Sequence, residues 1–379
     1  MLNQGTIDFR GKLPSSEALV HTLVNGYMLS ASLFGCVEVD LFSHLDVTSG
    51  TAISELADAC LLSASQVQKL VSFGLSVGLI IQRDEQFFNS SDAQKLLSRH
   101  SAHNMCSAVE HHSRHVYPLF GQLADSLQSG KPISDRLHLS SAQSNTDEFY
   151  AELDKSENDF GVFMAAMNTF STGAGTRIAD ALSTRVGSAA ALRILDLGGG
   201  GGQVSIEIAQ AIPQAQITLI DLEKATRFAR AEVDRNGLGD RILCRPGDIF
   251  SRLPLAEADF DVVVISAVLG DWSHDYQVTL LANAHHHLKS GGCLVVSETL
   301  LDDDLAGPIL PALMSLYVQI LTEGGQNFTA RSLVALLSGN QFNHIEVQLN
   351  RAHGCRDTVL ASKAPGAAAL ASAAHADKV

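Results

Sequence analysis

The sequence predicts two domains: a mostly helical domain over residues 1–185, then an α/β domain with a parallel sheet over residues 186–363. Three observations carry this. At 379 residues the chain is longer than one average domain and short for three. Apolar residues recur at helical spacing through most of the first half. From Ala190 onward, short β-rich runs alternate with helical stretches, the pattern of a parallel sheet wrapped by helices.

In chain order, Met1 to Leu13 is polar where a signal peptide needs an apolar stretch, and no later run is read as membrane-spanning. A cytoplasmic protein with no membrane partner is therefore expected. Ser16 to Leu45 reads as helical. Ile53 to Cys60, Ser65 to Val77, and a hairpin of Leu79 to Arg83 with Gln86 to Asn89 then give the order helix, turn, helix, wing. A DNA-reading winged helix carries basic residues on its second helix, yet Ser65 to Val77 holds only Lys69. The formal net charge of −15 also repels a phosphate backbone, so nucleic acid is not expected as a partner.

Met105 to Leu127 and Asp159 to Leu182 read as helices, with a polar loop at Ser140 to Thr146 and a change of pattern near Thr184 to Ser188. Strands are expected at Leu192–Leu197, Gln216–Ile220, Arg241–Cys244, Phe260–Ile265 and Cys293–Glu298. The Ala-rich segment 364–379 reads as a disordered tail. The six cysteines form no C-x-x-C pair and read as reduced, mostly buried thiols.

The chemistry concentrates after the first strand of the second domain. Leu192–Leu197 runs into five glycines, Gly198 to Gly202, ahead of an amphipathic helix. Such a turn lets backbone approach a ligand at a helix N-terminus. A glycine turn alone could equally cradle a dinucleotide. Three acids favour S-adenosylmethionine. Asp196 precedes the turn, where it repels a pyrophosphate and welcomes a cationic amino-acid group. Asp221, with Leu222 beside it, ends the second strand, where a carboxylate can accept both ribose hydroxyls. Asp248 follows the third strand with Ile249 and Phe250, supplying a carboxylate for an adenine amino group and an apolar face for the ring. Each acid alone is commonly a helix cap or turn residue; all three in this order are not.

The motifs ILDLGGGGGQ, LIDLE, RPGDIF, SAVLGDWSHD and HLKSGGCLVVSETLL resemble the small-molecule O-methyltransferases of the caffeate and hydroxyindole type. The resemblance runs to Lys363. It implies a Rossmann-like class I methyltransferase domain preceded by a winged-helix dimerisation domain, and a homodimer whose N-terminal domain lends walls to the partner's substrate pocket. Gly198, Gly200, Ser266 and Trp272 join the three acids, Leu222 and Ile249 as cofactor-site candidates.

One departure bears on mechanism. Hydroxyl-methylating members carry a general-base histidine immediately before the Asp-Trp pair, held by two acids. Here that position is Gly270, one acid position is Glu298, and the other aligns with Asn327. A phenol, with a pKa of about 10, must lose its proton as it reacts. A thioether sulfur or an unprotonated ring nitrogen already has its lone pair. The glycine therefore points to S- or N-methylation, to a displaced base, or to a relative that binds S-adenosylmethionine without methylating, such as a cyclase or lyase.

For the acceptor, candidates are Arg114 and His115 in the run Glu110 to His115, then Tyr117 and Phe120 as pocket walls. Met167 and Asn168 lie on the helix leading to the second domain, where the family encloses donor and acceptor, and Asn327 completes the set. His111 and His115 share a helix face, but no H-E-x-x-H order or cysteine partner accompanies them, so no metal is expected. The run His285 to His287 reads as an exposed helix end. Arg114 and an aromatic content of only 6% favour a thioether acid, as in S-methylation of 4-methylthio-2-hydroxybutyrate on the way to dimethylsulfoniopropionate, over a flat heterocycle such as a phenazine.

Overall fold

A computed structural model describes residues 15–133, 156–186, 191–350 and 356–363. The expected loop at Ser140 to Thr146, the leader region Met1 to Leu13 and the tail after Lys363 lie outside the described residues. The chain forms two compact units that divide at Gly121/Gln122, earlier than the change of sequence pattern at 184–188.

In the first unit, helix α1 (Glu17–Glu38) starts at Ser16, whose hydroxyl accepts from the Leu19 amide. Then come α2 (Ile53–Ala59), α3 (Ala64–Ser76) with its Ser63/Gln66 capping box, and the antiparallel hairpin β1 (Ile80–Arg83) and β2 (Gln86–Asn89). This is the expected helix, turn, helix, hairpin order. Cys36, Leu41, Phe42, Leu56, Val67 and Ile80 pack its core. Only the C-terminal end of α1 joins that core. Val20, Leu23, Val24 and Tyr27, spaced along one face, are all more than half exposed. By length and composition alone α1 could cross a membrane, which corrects the expectation that no run has that character.

After α4 (Ser91–Leu97), the helix expected over Met105 to Leu127 is broken. α5 (Cys106–His111) passes through a wide π turn at His112–Val116 into α6 (Tyr117–Phe120), and α7 (Leu123–Ser129) follows in the second unit. Pro118 explains the π turn, because it has no N–H to donate and its ring crowds the carbonyl four residues back.

The second unit continues with α8 (Glu157–Ser171) and α9 (Ala174–Val186). The sequence expected one helix here. Gly173, at φ 85°, separates the two, and the Glu207 carboxylate accepts from the amides of Gly173, Gly175 and Thr176 to cap α9. The rest is β3 (Arg193–Leu197), α10 (Gln203–Ala211), β4 (Gln216–Asp221), α11 (Glu223–Arg235), β5 (Ile242–Pro246), β6 (Phe260–Ser266), α12 (His274–His287), β7 (Leu288–Glu298), α13 (Ile309–Leu321), α14 (Ala330–Gly339), β8 (Phe342–Gln348) and β9 (Asp357–Lys363). All five expected strands are present. Their sheet order is β5-β4-β3-β6-β7-β9-β8, parallel from β5 to β7, with β9 inserted antiparallel between β7 and β8. Strand order reverses between β3 and β6, and ligands of such sheets bind outside the carboxyl ends of the strands there.

His287 departs from the expected exposed helix end. It is buried, with Nδ1 3.1 Å from the Ala256 carbonyl, because α12 leads directly into β7 under the 256–259 loop.

Candidate active site

At the switch point lies a cavity of about 970 Å³, bounded by the ends of β3, β4, β5 and β6 and by α8. The glycine turn forms its floor. The Gly198 amide donates to the Ile220 carbonyl (2.9 Å), and Gly198 holds φ 75°, where a side chain would be strained. A Cβ on Gly201 would lie 2.2 Å from Asn168 Oδ1, so the turn and α8 meet there backbone to side chain.

The three predicted acids line this one cavity. Asp196 is buried and accepts from the Ser205 hydroxyl at 2.6 Å; burial, partly offset by that bond, pushes its carboxyl up to about 6. Asp221 Oδ2 accepts from the Gly200 amide (2.8 Å) and Oδ1 from the Leu222 amide (2.7 Å), while burial still raises it. Asp248 also serves its turn, with Oδ1 accepting from the Phe250 amide (2.9 Å) and Oδ2 from the Ser251 hydroxyl (2.5 Å). Trp272 and Phe250 stack edge-on at 4.4 Å, and with Ile249 they give the Asp248 side an apolar wall. Leu222, Gly200, Ser266, Met167 and Asn168 line the cavity as well. A buried Asp196, a half-buried Asp221, an exposed Asp248, an apolar slot and a glycine floor with no room for a Cβ at Gly198, Gly199 and Gly201 together suit a cationic amino acid joined to an adenosine.

The remaining predicted acceptor residues are not among those lining this cavity. Arg114, His115, Tyr117 and Phe120 belong to the first unit. There Arg114 pairs with Glu38 (3.1 Å) and Glu110 (3.7 Å), Tyr117 packs edge-on against Phe34, and Phe120 ends α6 half-buried. His115 sits 2.9 Å from His111, ring nitrogen to ring nitrogen, and burial lowers His111 to about 3. Among the described residues no cluster suits a metal ion. Asn327 is outside the cavity lining and donates to the Pro311 carbonyl at 2.8 Å.

Around Gly270 the backbone is closed. Its amide and that of Leu269 donate to Glu298 Oε1 (3.3 and 3.1 Å), and its carbonyl accepts from the Gln326 amide (2.8 Å). A Cβ there would lie 3.2 Å from the Gln326 carbonyl. The loop carrying Gly324 to Gln326 thus presses on the helical turn Leu269–Asp271 at the position where a histidine would stand.

Among the cavity residues to which the sequence reading gave no role are Asp271 and Arg356. Asp271, next in the chain, is pushed up to about 7, first by burial, then by Glu298, with Arg356 opposing. Arg356 precedes β9 and donates to Ser266 Oγ (2.9 Å) and Ser171 Oγ (3.0 Å). A carboxylate beside a tryptophan in an apolar run could have flagged Asp271. Nothing local marks Arg356, which reaches the cavity only because β9 inserts beside β7.

The model of the O-methyltransferase domain family matches residues 120–343, more than half of the chain. The chain belongs to that family. Human acetylserotonin O-methyltransferase is 27% identical over 350 residues, covering 91% of this chain and 97% of its own length. The 3-hydroxy-5-methyl-1-naphthoate 3-O-methyltransferase of Streptomyces sahachiroi is 28% identical over 314 residues, covering 82% and 85%. The crystal structure of human N-acetylserotonin methyltransferase in complex with SAM superposes with a TM-score of 0.81, covering 93% of this chain and all of that one. Membership makes this protein an S-adenosylmethionine-dependent methyltransferase with a Rossmann-like α/β fold.

Proposed function

We propose that this family member methylates a small molecule at an atom needing no general base. The reading favoured is the thioether sulfur of an acid, as in S-methylation of 4-methylthio-2-hydroxybutyrate, with a heterocyclic nitrogen as the alternative. The carrying observation is Gly270, whose surroundings are closed by the Gln326 carbonyl where hydroxyl-methylating relatives hold a histidine. When bound, S-adenosylmethionine supplies an electrophilic methyl group. In this reading Asp196 meets the amino-acid ammonium, Asp221 the ribose, and Asp248 with Ile249 and Trp272 the adenine. Met167 and Asn168 wall the acceptor's approach, which fixes alignment rather than protonation.

One observation favours a second reading, O-methylation with Asp271 as the displaced base. Asp271 lines the cavity, burial pushes its carboxyl up to about 7, where a base is efficient at neutral pH, and the named relatives are O-methyltransferases. Turnover separates the two. A base must be ionised, so under the second reading kcat drops tenfold per pH unit below about 7, and Asp271→Asn abolishes it. For a thioether, the kcat profile through that range is expected to stay level and Asp271→Asn to retain turnover within about tenfold. Methyl-labelled donor with a panel of thioethers, N-heterocycles and phenols supplies the assay.

The exposed stripe on α1 supports a homodimer, since a second copy presenting the same face buries both. Light scattering at micromolar concentration is expected to give twice the 40.3 kDa chain mass. A stable monomer would remove the shared-pocket idea, and co-flotation of the monomer with lipid vesicles would assign the stripe to a membrane instead.

A further inference from the structure

Helix α8 meets the glycine turn through one side chain. Asn168 Nδ2 donates to the Gly201 carbonyl at 3.3 Å, and both residues line the cavity. A Cβ on Gly201 would meet Oδ1, Cγ and Nδ2 of Asn168 first, none of them farther than 2.8 Å. The Asn168 amide therefore fills the notch that this glycine leaves. Gly198, Gly200 and Gly202 all hold positive φ and Gly201 does not, so at Gly201 the missing side chain serves this contact rather than the backbone.

One residue earlier in the turn, the Gly200 amide donates to Asp221 Oδ2 at 2.8 Å. The span Gly200–Gly201 thus connects the carboxylate assigned to the ribose with α8. On α8, Met164 is buried with its Cε 4.0 Å from where a Gly200 Cβ would stand, and it packs with Phe160, Phe163 and Met167 against Ala225 and Phe228 of α11. The elbow after α8 is fixed differently. Glu207 accepts from the amides of Gly173, Gly175 and Thr176, and a Cβ on Gly175 would run into the Val204 carbonyl. That approach is backbone against backbone, whereas the one at Gly201 is made by a side-chain amide that can swing out.

We propose that Asn168 is a positioning residue: its amide latches α8 to the glycine turn, so that donor binding on the turn and seating of α8 over the cavity reinforce one another. This rests on the donor placement proposed above and is independent of which atom is methylated.

Two substitutions break the latch from opposite sides. Asn168→Ala removes the amide. Gly201→Ala keeps the amide but puts a methyl group in its notch, displacing only the end of a side chain. Each alone is expected to weaken S-adenosylhomocysteine about three- to tenfold by calorimetry, the size of one hydrogen bond. The double variant should bind no more weakly than either single one, because the second change removes a contact already lost. Hydrogen exchange supplies a readout that a merely structural role would not move. At saturating S-adenosylhomocysteine the α8 amides from Phe160 to Asn168 should exchange about threefold or more slowly in the wild type and at the unliganded rate in both single variants, with the glycine turn protected in all three. Equal α8 exchange with and without ligand in the wild type overturns the latch without any variant needing to fold. So do an unchanged affinity in Asn168→Ala, effects that add in the double variant, and α8 protection that survives both substitutions. A glycine turn left unprotected in the wild type instead overturns the donor placement, and the latch falls with it.

Discussion

Replacing Asp221 by alanine is expected to weaken S-adenosylmethionine binding by roughly 10- to 150-fold. The figure follows from losing a charged acceptor for two ribose hydroxyls, about 1.5 to 3 kcal/mol, at 1.4 kcal/mol per tenfold. The structure adds a second cause in the same direction. Each Asp221 oxygen also fixes a backbone amide, Gly200 on the glycine turn and Leu222 at the head of α11, so the truncation loosens the floor of the site as it removes a contact. Asparagine keeps one acceptor oxygen and should fall between. Calorimetry measures the effect, and an unchanged dissociation constant would show that the ribose assignment is wrong.

Restoring the family histidine by Gly270→His is expected to lower turnover of the native reaction by up to about a hundredfold rather than raise it. The Cβ would lie 3.2 Å from the Gln326 carbonyl, tighter than ordinary contact, and that carbonyl belongs to a loop anchored by the Gln326 amide on the Gly270 carbonyl itself. Relief requires the 324–327 loop or the 269–272 segment to shift, carrying Asp271 and Trp272 with it. A displacement of ~1 Å at reacting atoms can cost roughly that factor. A thioether has no proton for the new imidazole to take, so nothing offsets the loss. Steady-state turnover with the best acceptor decides, and a clear rate gain would defeat the base-free reading.

Both predictions start from residues visible in the sequence, and both acquire their size from contacts that were not. Local patterning was enough for the five parallel strands, because β3, β4, β6 and the second half of β7 are apolar runs largely buried on both faces, and the edge strand β5 alternates buried with exposed residues. The breaks inside the expected helices were less legible. Pro118 and Gly173 were each in view, but whether such a residue is tolerated or splits a helix depends on what satisfies the loosened backbone, and for Gly173 that is Glu207 from another helix. In the same way the run of histidines before β7 gave no hint that His287 is buried, since its cover comes from the 256–259 loop.

By itself the sequence determined the α/β class, the cofactor and the position of the glycine turn, Asp196, Asp221 and Asp248. These lie at fixed offsets from strand ends, and a parallel sheet brings all its strand ends to one edge. Tertiary structure alone decided the rest of the site. It closed the Gly270 position with a loop more than fifty residues away, and raised Asp271 by burying it beside Glu298. It also brought Arg356 to the cavity through an antiparallel strand inserted out of order. Each of those depends on a contact between distant segments, and sequence periodicity, which reports a residue's face but not its neighbour, carries no record of it.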